Sequence, residues 1–300
     1  MKDISGKPTA SEPSQWPWGY RPVKKPRIER KGNEPSPPIL KVVFHPLMIE
    51  PYDDTPAGAP GRLNSSIELL SSKQDYRFLE PAPASEAEIC LAHDSAQIER
   101  VRRVGSSSRT DRLFQMATLA AGGAILTAEI AVRGGPAFGL IRPPGHHASR
   151  SSSWGFCYFN NMAVALLNLR SRGLIRSAFV LDFDLHVGDG TLNILSDEKG
   201  FTIYNPSRHG DDEYLANVER AIEKCPEVDV IAASAGFDQY IEDWGRNLST
   251  QAYKKLGYLM YDFAEDRCEG RRFGLLEGGY NFEDLGMNIH AFCEGLRGVK

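Results

Sequence analysis

Four side chains that can hold a metal or move a proton, Asp182, Asp184, His186 and Asp189, fall within eight residues of a 300-residue chain. They come directly after the apolar run of residues 178–181. An apolar run ending in alternating polar residues reads as a buried strand that reaches the edge of a sheet. Side chains two apart on a strand point the same way, so Asp182, Asp184 and His186 are expected on one face. Carboxylates and an imidazole at that spacing suit a divalent cation. A single Asp-x-Asp would read as a solvated strand end, whereas the fourfold pattern behind a buried strand favours metal chemistry.

Four further polar segments stand at or just beyond the ends of other expected strands. One is Arg142-Pro-Pro-Gly followed by His146 and His147, two imidazoles held on a turn, where proton transfer can occur. The second holds Gly155 and Phe156 and continues Cys-Tyr-Phe-Asn-Asn, suited to an aromatic pocket wall. The third, Ser-Ala-Gly-Phe, ends in Asp238, and the fourth, Glu-Gly-Gly, ends in Tyr280. Asp184, His186 and Asp238 can supply three ligands and leave a fourth position open, as a catalytic zinc site requires. The two histidines can take a proton from water and deliver it to a leaving amine. Asp182 and Asp189 are available to fix their tautomers. Tyr280 can donate to a developing oxyanion. The chemistry is metal-assisted hydrolysis of an amide or ester.

Strands must deliver these residues to one edge. The pattern predicts strands at 41–45, 137–142, 178–184, 201–204, 228–233 and 273–276. Helices are predicted at 62–72, 86–104, 113–133, 160–169, 190–196, 212–224 and 250–267, with a last one after residue 281. Strands alternating with helices imply an α/β fold with a mostly parallel sheet, whose ligands gather at the carboxyl ends of the strands.

Composition narrows the class. A hydrophobic fraction of 41% supports a sizeable core, and the five cysteines lack a Cys-x-x-Cys pair, which favours free thiols in a reducing compartment. No secretory signal and no run of 18 apolar residues is found, so no membrane partner is expected and the cytoplasm is the default. Residues 1–32 carry eight Lys/Arg against three acids, which leaves −9 on the remainder. Nucleic acid is not expected as a partner, because the basic stretch stands alone. Residues 1–38 read as an irregular basic extension and 39–300 as one catalytic domain. Trp16, Trp18 and Tyr20 are suited to pin the extension onto the domain or onto a second copy, so a homo-oligomer stays open.

Taken together, the five motifs resemble those of the histone deacetylase and acetylpolyamine amidohydrolase superfamily, in the family's order, over about residues 41–297. The Leu-Glu-Gly-Gly-Tyr form is more like class II and bacterial members. The resemblance implies the arginase–deacetylase fold with a central sheet of about eight strands. It implies zinc, with ferrous iron as the alternative, on Asp184, His186 and Asp238. It implies a general acid/base pair, His146 and His147, oriented by Asp182 and Asp189 respectively, and a carbonyl-polarising Tyr280. Gly155 and Phe156 would line an acyl-lysine channel, and a structural potassium ion would take backbone carbonyls of Asp182, Asp184 and His186. The substrate would be an acetylated amine, such as acetyl-lysine or an acetylpolyamine. A non-catalytic metal-containing binding protein and an arginase-type ureohydrolase are the alternatives.

The chain departs from the family pattern in two places. The Phe/Tyr-Pro-Gly loop that supplies the channel's opposite aromatic wall has no counterpart between residues 191 and 229, which implies a wider or differently built mouth. For the acid that grips the substrate backbone, only Asp53, Asp54 and Asp111 offer themselves.

Overall fold

Short runs rich in Val, Ile, Leu and Phe pair in register wherever both of their faces can be covered. In the computed structural model, which describes residues 36–104 and 110–300 without the side chains of 110 and 111, seven such runs form one sheet. They are β1 (Leu40–Val43), β2 (Tyr76–Leu79), β3 (Ala137–Gly139), β4 (Ala178–Asp182), β5 (Phe201–Tyr204), β6 (Val230–Ala235) and β7 (Arg272–Leu276). Their order is β2-β1-β3-β7-β6-β4-β5 and every pairing is parallel. Strands β4, β6 and β7 are buried at every position, which is why they read as continuous apolar runs.

Nine helices are described: α1 (Asn64–Ser71), α2 (Glu86–Ile89), α3 (Ser95–Arg103), α4 (Thr110–Val132), α5 (Asn161–Ser171), α6 (Asp189–Leu195), α7 (Asp211–Lys224), α8 (Thr250–Arg267) and α9 (Leu285–Leu296). The single helix expected over 86–104 is two. Asp94 interrupts it, because its side chain accepts from the Gln97 N–H at 2.8 Å and caps a new helix. By length and composition residues Arg112–Val132 of α4 could cross a membrane, but 72% of its apolar 18-residue window is buried inside the protein. A methyl group on Gly122 would stand 2.0 Å from the Ala82 carbonyl, so close backbone approach explains the small residues there.

The sheet has seven strands among the described residues, in keeping with the expected parallel sheet of about eight. One of them, β2, was not expected at all, because it is a four-residue edge strand with a single buried side chain, Tyr76. The register sets the functional edge: Asp182 pairs with Ser234, and Ala235 with Leu276. Strands β4, β6 and β7 thus end side by side, and the loops after them start from one place.

Candidate active site

The loop after β4 carries the metal-type ligands, but it departs from the expected geometry. Strand β4 ends at Asp182, so Asp182, Asp184 and His186 do not share a strand face. Past the strand, backbone donors turn the chain. Asp182 Oδ1 accepts the Asp184 N–H at 3.3 Å, and Asp184 Oδ1 accepts the His186 N–H at 3.0 Å. This turn sends Asp182 toward the histidine loop and leaves Asp184 and His186 facing Asp238. His186 Nδ1 lies 3.4 Å from Asp184 Oδ1 and 3.5 Å from Asp238 Oδ2.

One ligand atom from each of Asp184, His186 and Asp238 falls within 4.8 Å of the others. Asp238 Oδ1 accepts the Leu185 N–H at 3.0 Å, whereas its buried Oδ2 has no hydrogen bond. A buried carboxylate oxygen without a donor is costly unless a cation meets it. Gly278 lies against the cluster, where an added Cβ would stand 2.6 Å from both Asp184 Oδ2 and Asp238 Oδ2. Two carboxylates, one imidazole and a space that only glycine leaves open fit a divalent metal such as zinc or ferrous iron.

Electrostatics report the same crowding. Burial, and then the charge of Asp184, push the Asp238 carboxyl up to about 7. Burial opposes ionisation of Asp184, but the charge of His146 and hydrogen bonds from His186 and the Gly278 N–H hold it well below the usual carboxylate range. The hydrogen bond to Asp184 and the nearby Asp238 carboxylate raise His186 to about 10.

Both histidines of the loop after β3 are buried and each faces its own carboxylate. His146 Nδ1 lies 3.2 Å from Asp182 Oδ2, and His147 Nδ1 lies 2.6 Å from Asp189 Oδ1. Their rings are 4.0 Å apart. For His146, burial is outweighed by Asp184 and Asp182, and its pKa is raised. For His147, burial and the neighbouring His146 pull it down to about 4, so it is neutral near pH 7.

This loop is held from three sides by residues to which the sequence assigns no role. Arg142 is fully buried and donates to five carbonyls, those of Met48, Ile49, Glu50, Ala57 and Ala59. Glu277, at the end of β7, accepts the Gly145 N–H at 2.6 Å and the His146 N–H at 3.1 Å. His93 bridges Ser149 and Asn160: its Nδ1 lies 2.9 Å from the Ser149 carbonyl, and its Nε2 accepts the Asn160 N–H at 2.8 Å.

The bridge needs neutral His93, and burial pulls its pKa from 6.5 to about 4. Its contribution to stability is therefore complete above pH 6.5 and is lost as pH falls toward 4. Chemical unfolding of wild type and His93→Gln at pH 7 and pH 4 checks this. Wild type is expected to lose about 3 kcal/mol more than the variant. Equal losses would show that His93 is not the acid-sensitive group.

Tyr280 completes one side of a cavity of about 140 Å³. Its ring stacks on Trp244 at 4.0 Å and meets Phe156 edge-on at 6.0 Å. Burial raises its phenol well above the ordinary range. Asp243 ties this corner together, accepting the N–H groups of Trp244, Tyr280 and Asn281 at 2.6 to 2.7 Å. Gly155 and Phe156 line the same cavity, both with φ in the left-handed region, at 58° and 65°. For phenylalanine that conformation costs about 1 kcal/mol or more, and such strain gathers at functional sites. At Gly155 a Cβ would stand 2.4 Å from the His147 ring, so the close approach itself requires glycine.

A histone deacetylase domain profile matches residues 57–206 and 198–296. This chain belongs to the histone deacetylase family. A probable deacetylase of Methanothermobacter thermautotrophicus is 32% identical to it over 285 residues, covering 79% of this chain and 85% of that protein. Another from Archaeoglobus fulgidus is 34% identical over 297 residues, covering 82% of each. The crystal structure of the HDA15 HD domain matches with a TM-score of 0.78 over 88% of this chain and 90% of that one, at 23% identity. The fold is the arginase–deacetylase fold.

Of the ten residues singled out in the sequence, seven line one cavity, and Asp182, Asp189 and Asp238 contact residues that do. The expected absence of an aromatic wall has an answer as well: Trp244 and Trp154 line the cavity, from the loops after β6 and β3. A tryptophan among serines at 151–153 and another beside Asp243 were the legible signals. The Asp53 carboxylate accepts from Thr55 and, at 2.9 Å, from the Tyr158 hydroxyl. The Asp111 side chain and residues 1–35 of the basic extension, with Trp16, Trp18 and Tyr20, lie outside the described residues.

Proposed function

We propose that this protein is a metal-dependent deacetylase that cleaves an acetyl or related short acyl group from an acylated amine. Zinc is the metal of choice, with ferrous iron as the alternative, held by Asp184, His186 and Asp238. The observation that carries this reading is the convergence of two buried histidines each paired with an aspartate, a three-donor cluster with an orphaned carboxylate oxygen, and a protonated phenol on one cavity.

The bound metal would supply Lewis acidity toward the acyl carbonyl and a water. The rest follows from the chain's own side chains. Neutral His147, with Nδ1–H directed at Asp189, keeps Nε2 as a base that accepts the proton of the attacking water. Tyr280, kept protonated by burial, donates to the carbonyl oxygen as negative charge develops there. The C–O bond forms first and leaves the charge on the former carbonyl oxygen; the C–N bond then breaks as the histidine pair delivers the proton to the leaving amine. Asp182 and Asp189 hold the two imidazoles in orientation. A potassium ion, if bound, would use the carbonyls of Asp182, Asp184 and His186, of which that of Asp184 accepts Gln239 Nε2 at 3.4 Å.

An arginase-type reaction, which would need carboxylates for two ions, draws less support. Asp184, His186 and Asp238 make one three-donor group, and Glu277 of the neighbouring His146–Cys157–Glu277 group already accepts two N–H groups.

Acetate release by the zinc-loaded protein should be measured on matched acetyl-lysine peptides, N-acetylpolyamines and small acetylated amines, with metal content in parallel. Turnover with one zinc per chain, lost on chelation and regained on zinc addition, is expected. A stoichiometrically metallated protein that turns over none of the three classes would overturn the reading in favour of a binding role.

A further inference from the structure

Trp154 is half-exposed, at 55%, yet both of its polar and aromatic functions are spent on one catalytic pair. Its indole Nε1–H donates to Asp189 Oδ2 at 2.9 Å. The other oxygen of that carboxylate, Oδ1, takes His147 Nδ1 at 2.6 Å. The indole ring also lies over the His147 ring, with centroids 3.9 Å apart and planes inclined by 32°. Side chain and cofacial ring therefore hold the base and its carboxylate at once.

The loop that carries Trp154 is built to present it. Gln97, buried on α3, donates to Ser153 Oγ and to the Tyr158 carbonyl, both at 3.1 Å, and so fastens the chain on either side. Between these points the Trp154 carbonyl accepts the Cys157 N–H at 3.0 Å across the two left-handed residues Gly155 and Phe156. Asp189 needs such support. Its side chain is 51% exposed, whereas Asp182, the partner of the inner histidine, is wholly buried at the end of β4. An exposed carboxylate has rotamers and water partners that a buried one lacks.

We propose that Trp154 is a positioning residue for the reaction, clamping Asp189 through its N–H and shielding the Asp189–His147 hydrogen bond from water, so that His147 stays in the Nδ1–H tautomer with Nε2 toward the substrate. This rests on the deacetylase reading above for its kinetic consequence, but its structural consequence does not. A competing role, in which the indole is only a wall against which substrate packs, makes a different forecast, since a wall acts on substrate binding and not on the base.

Two variants separate the roles. Trp154→Phe keeps a ring over His147 and removes the N–H, and Trp154→Ala removes both. The first readout is the imidazole ¹H–¹⁵N spectrum of His-labelled full-length protein without metal, with the His147 signals assigned by their loss in His147→Gln. Wild type is expected to show a slowly exchanging Nδ1–H on His147. That proton should exchange faster in Trp154→Phe and vanish into solvent exchange in Trp154→Ala.

The second readout is steady-state kinetics of the zinc-loaded protein. A kcat lower by about tenfold in Trp154→Phe, and lower still in Trp154→Ala, is expected, with KM within about twofold, as for loss of one charge-assisted hydrogen bond. An unchanged His147 signal in both variants, or a rise in KM alone, would overturn the proposal. If wild type hydrolyses no substrate, the function reading fails and the spectra alone decide the inference. Because Trp154 is half-exposed, circular dichroism should show both variants folded.

Discussion

Tyr280→Phe is expected to lower kcat by about 10²–10³-fold, the usual cost of removing one preorganised donor from an oxyanion site, while bound zinc is unchanged. The substitution removes a single oxygen. The ring would keep its stack on Trp244 and its edge contact with Phe156, and the backbone N–H would keep its bond to Asp243. Tyr280 is not in the three-donor cluster, so metal content has no reason to fall. Burial raises the phenol pKa, so the group stays a donor throughout the working pH range, and the defect should be nearly constant between pH 6 and 9. Matched rates of variant and wild type, at equal metal content, would remove Tyr280 from the chemistry.

Asp238→Asn is expected to weaken zinc binding by more than about 100-fold and yet to stabilise the metal-free protein. The first effect exceeds the 10–100-fold typical of residues that merely support a ligand. The second follows from the orphaned oxygen. Asparagine can keep the acceptor used by the Leu185 N–H, and it puts an uncharged donor where Oδ2 stood without a hydrogen bond, beside Asp184. The folded-state pKa of Asp238 is raised to about 7, so the penalty runs opposite to that of a paired carboxylate. The metal-free wild type is least burdened below the ordinary carboxylate pKa and loses stability as pH rises through 7. At pH 8 the variant should exceed it by roughly 2–4 kcal/mol, and near pH 4 the two should converge. Urea unfolding with a chelator at both pH values measures this. Zinc should then reverse the order by stabilising wild type alone. If chelated wild type is the more stable at pH 8, Asp238 is not a strained, cation-seeking carboxylate.

Both predictions start from residues that stand out in the chain, because chemistry leaves local marks. Asp184, His186 and Asp238 are recognisable ligand types beyond apolar runs, and His146 with His147 on a Pro-Gly turn is an unusual pair. The parallel sheet is legible for the same local reason. Strands buried on both faces must be continuously apolar, as in β4, β6 and β7, and helices must alternate with them. The helix at Thr250–Arg267 matches its predicted bounds because Ser249 marks its start by capping it.

What period-two reasoning could not supply is where a strand stops. Asp182, Asp184 and His186 have the spacing of a strand face, yet the chain leaves β4 at Asp182, and side-chain-to-backbone hydrogen bonds turn it. Asp182 thereby goes to a histidine, and Asp184 and His186 go to the three-donor cluster. The edge strand β2, the break at Asp94 and the roles of His93, Arg142, Glu277 and Asp243 depend on partners 36 to 132 residues apart or on single side chains without a repeating pattern. Sequence determined the residue types, the layered fold and the chemistry they permit, since burial and propensity are properties of neighbours along the chain. Tertiary structure alone decided where β4 stops and the chain turns, and that Trp154 and Trp244 line the cavity. Those outcomes are set by contacts across space, where a hydrogen bond of 2.6 Å or a stack at 4.0 Å depends on the packing of the whole sheet edge.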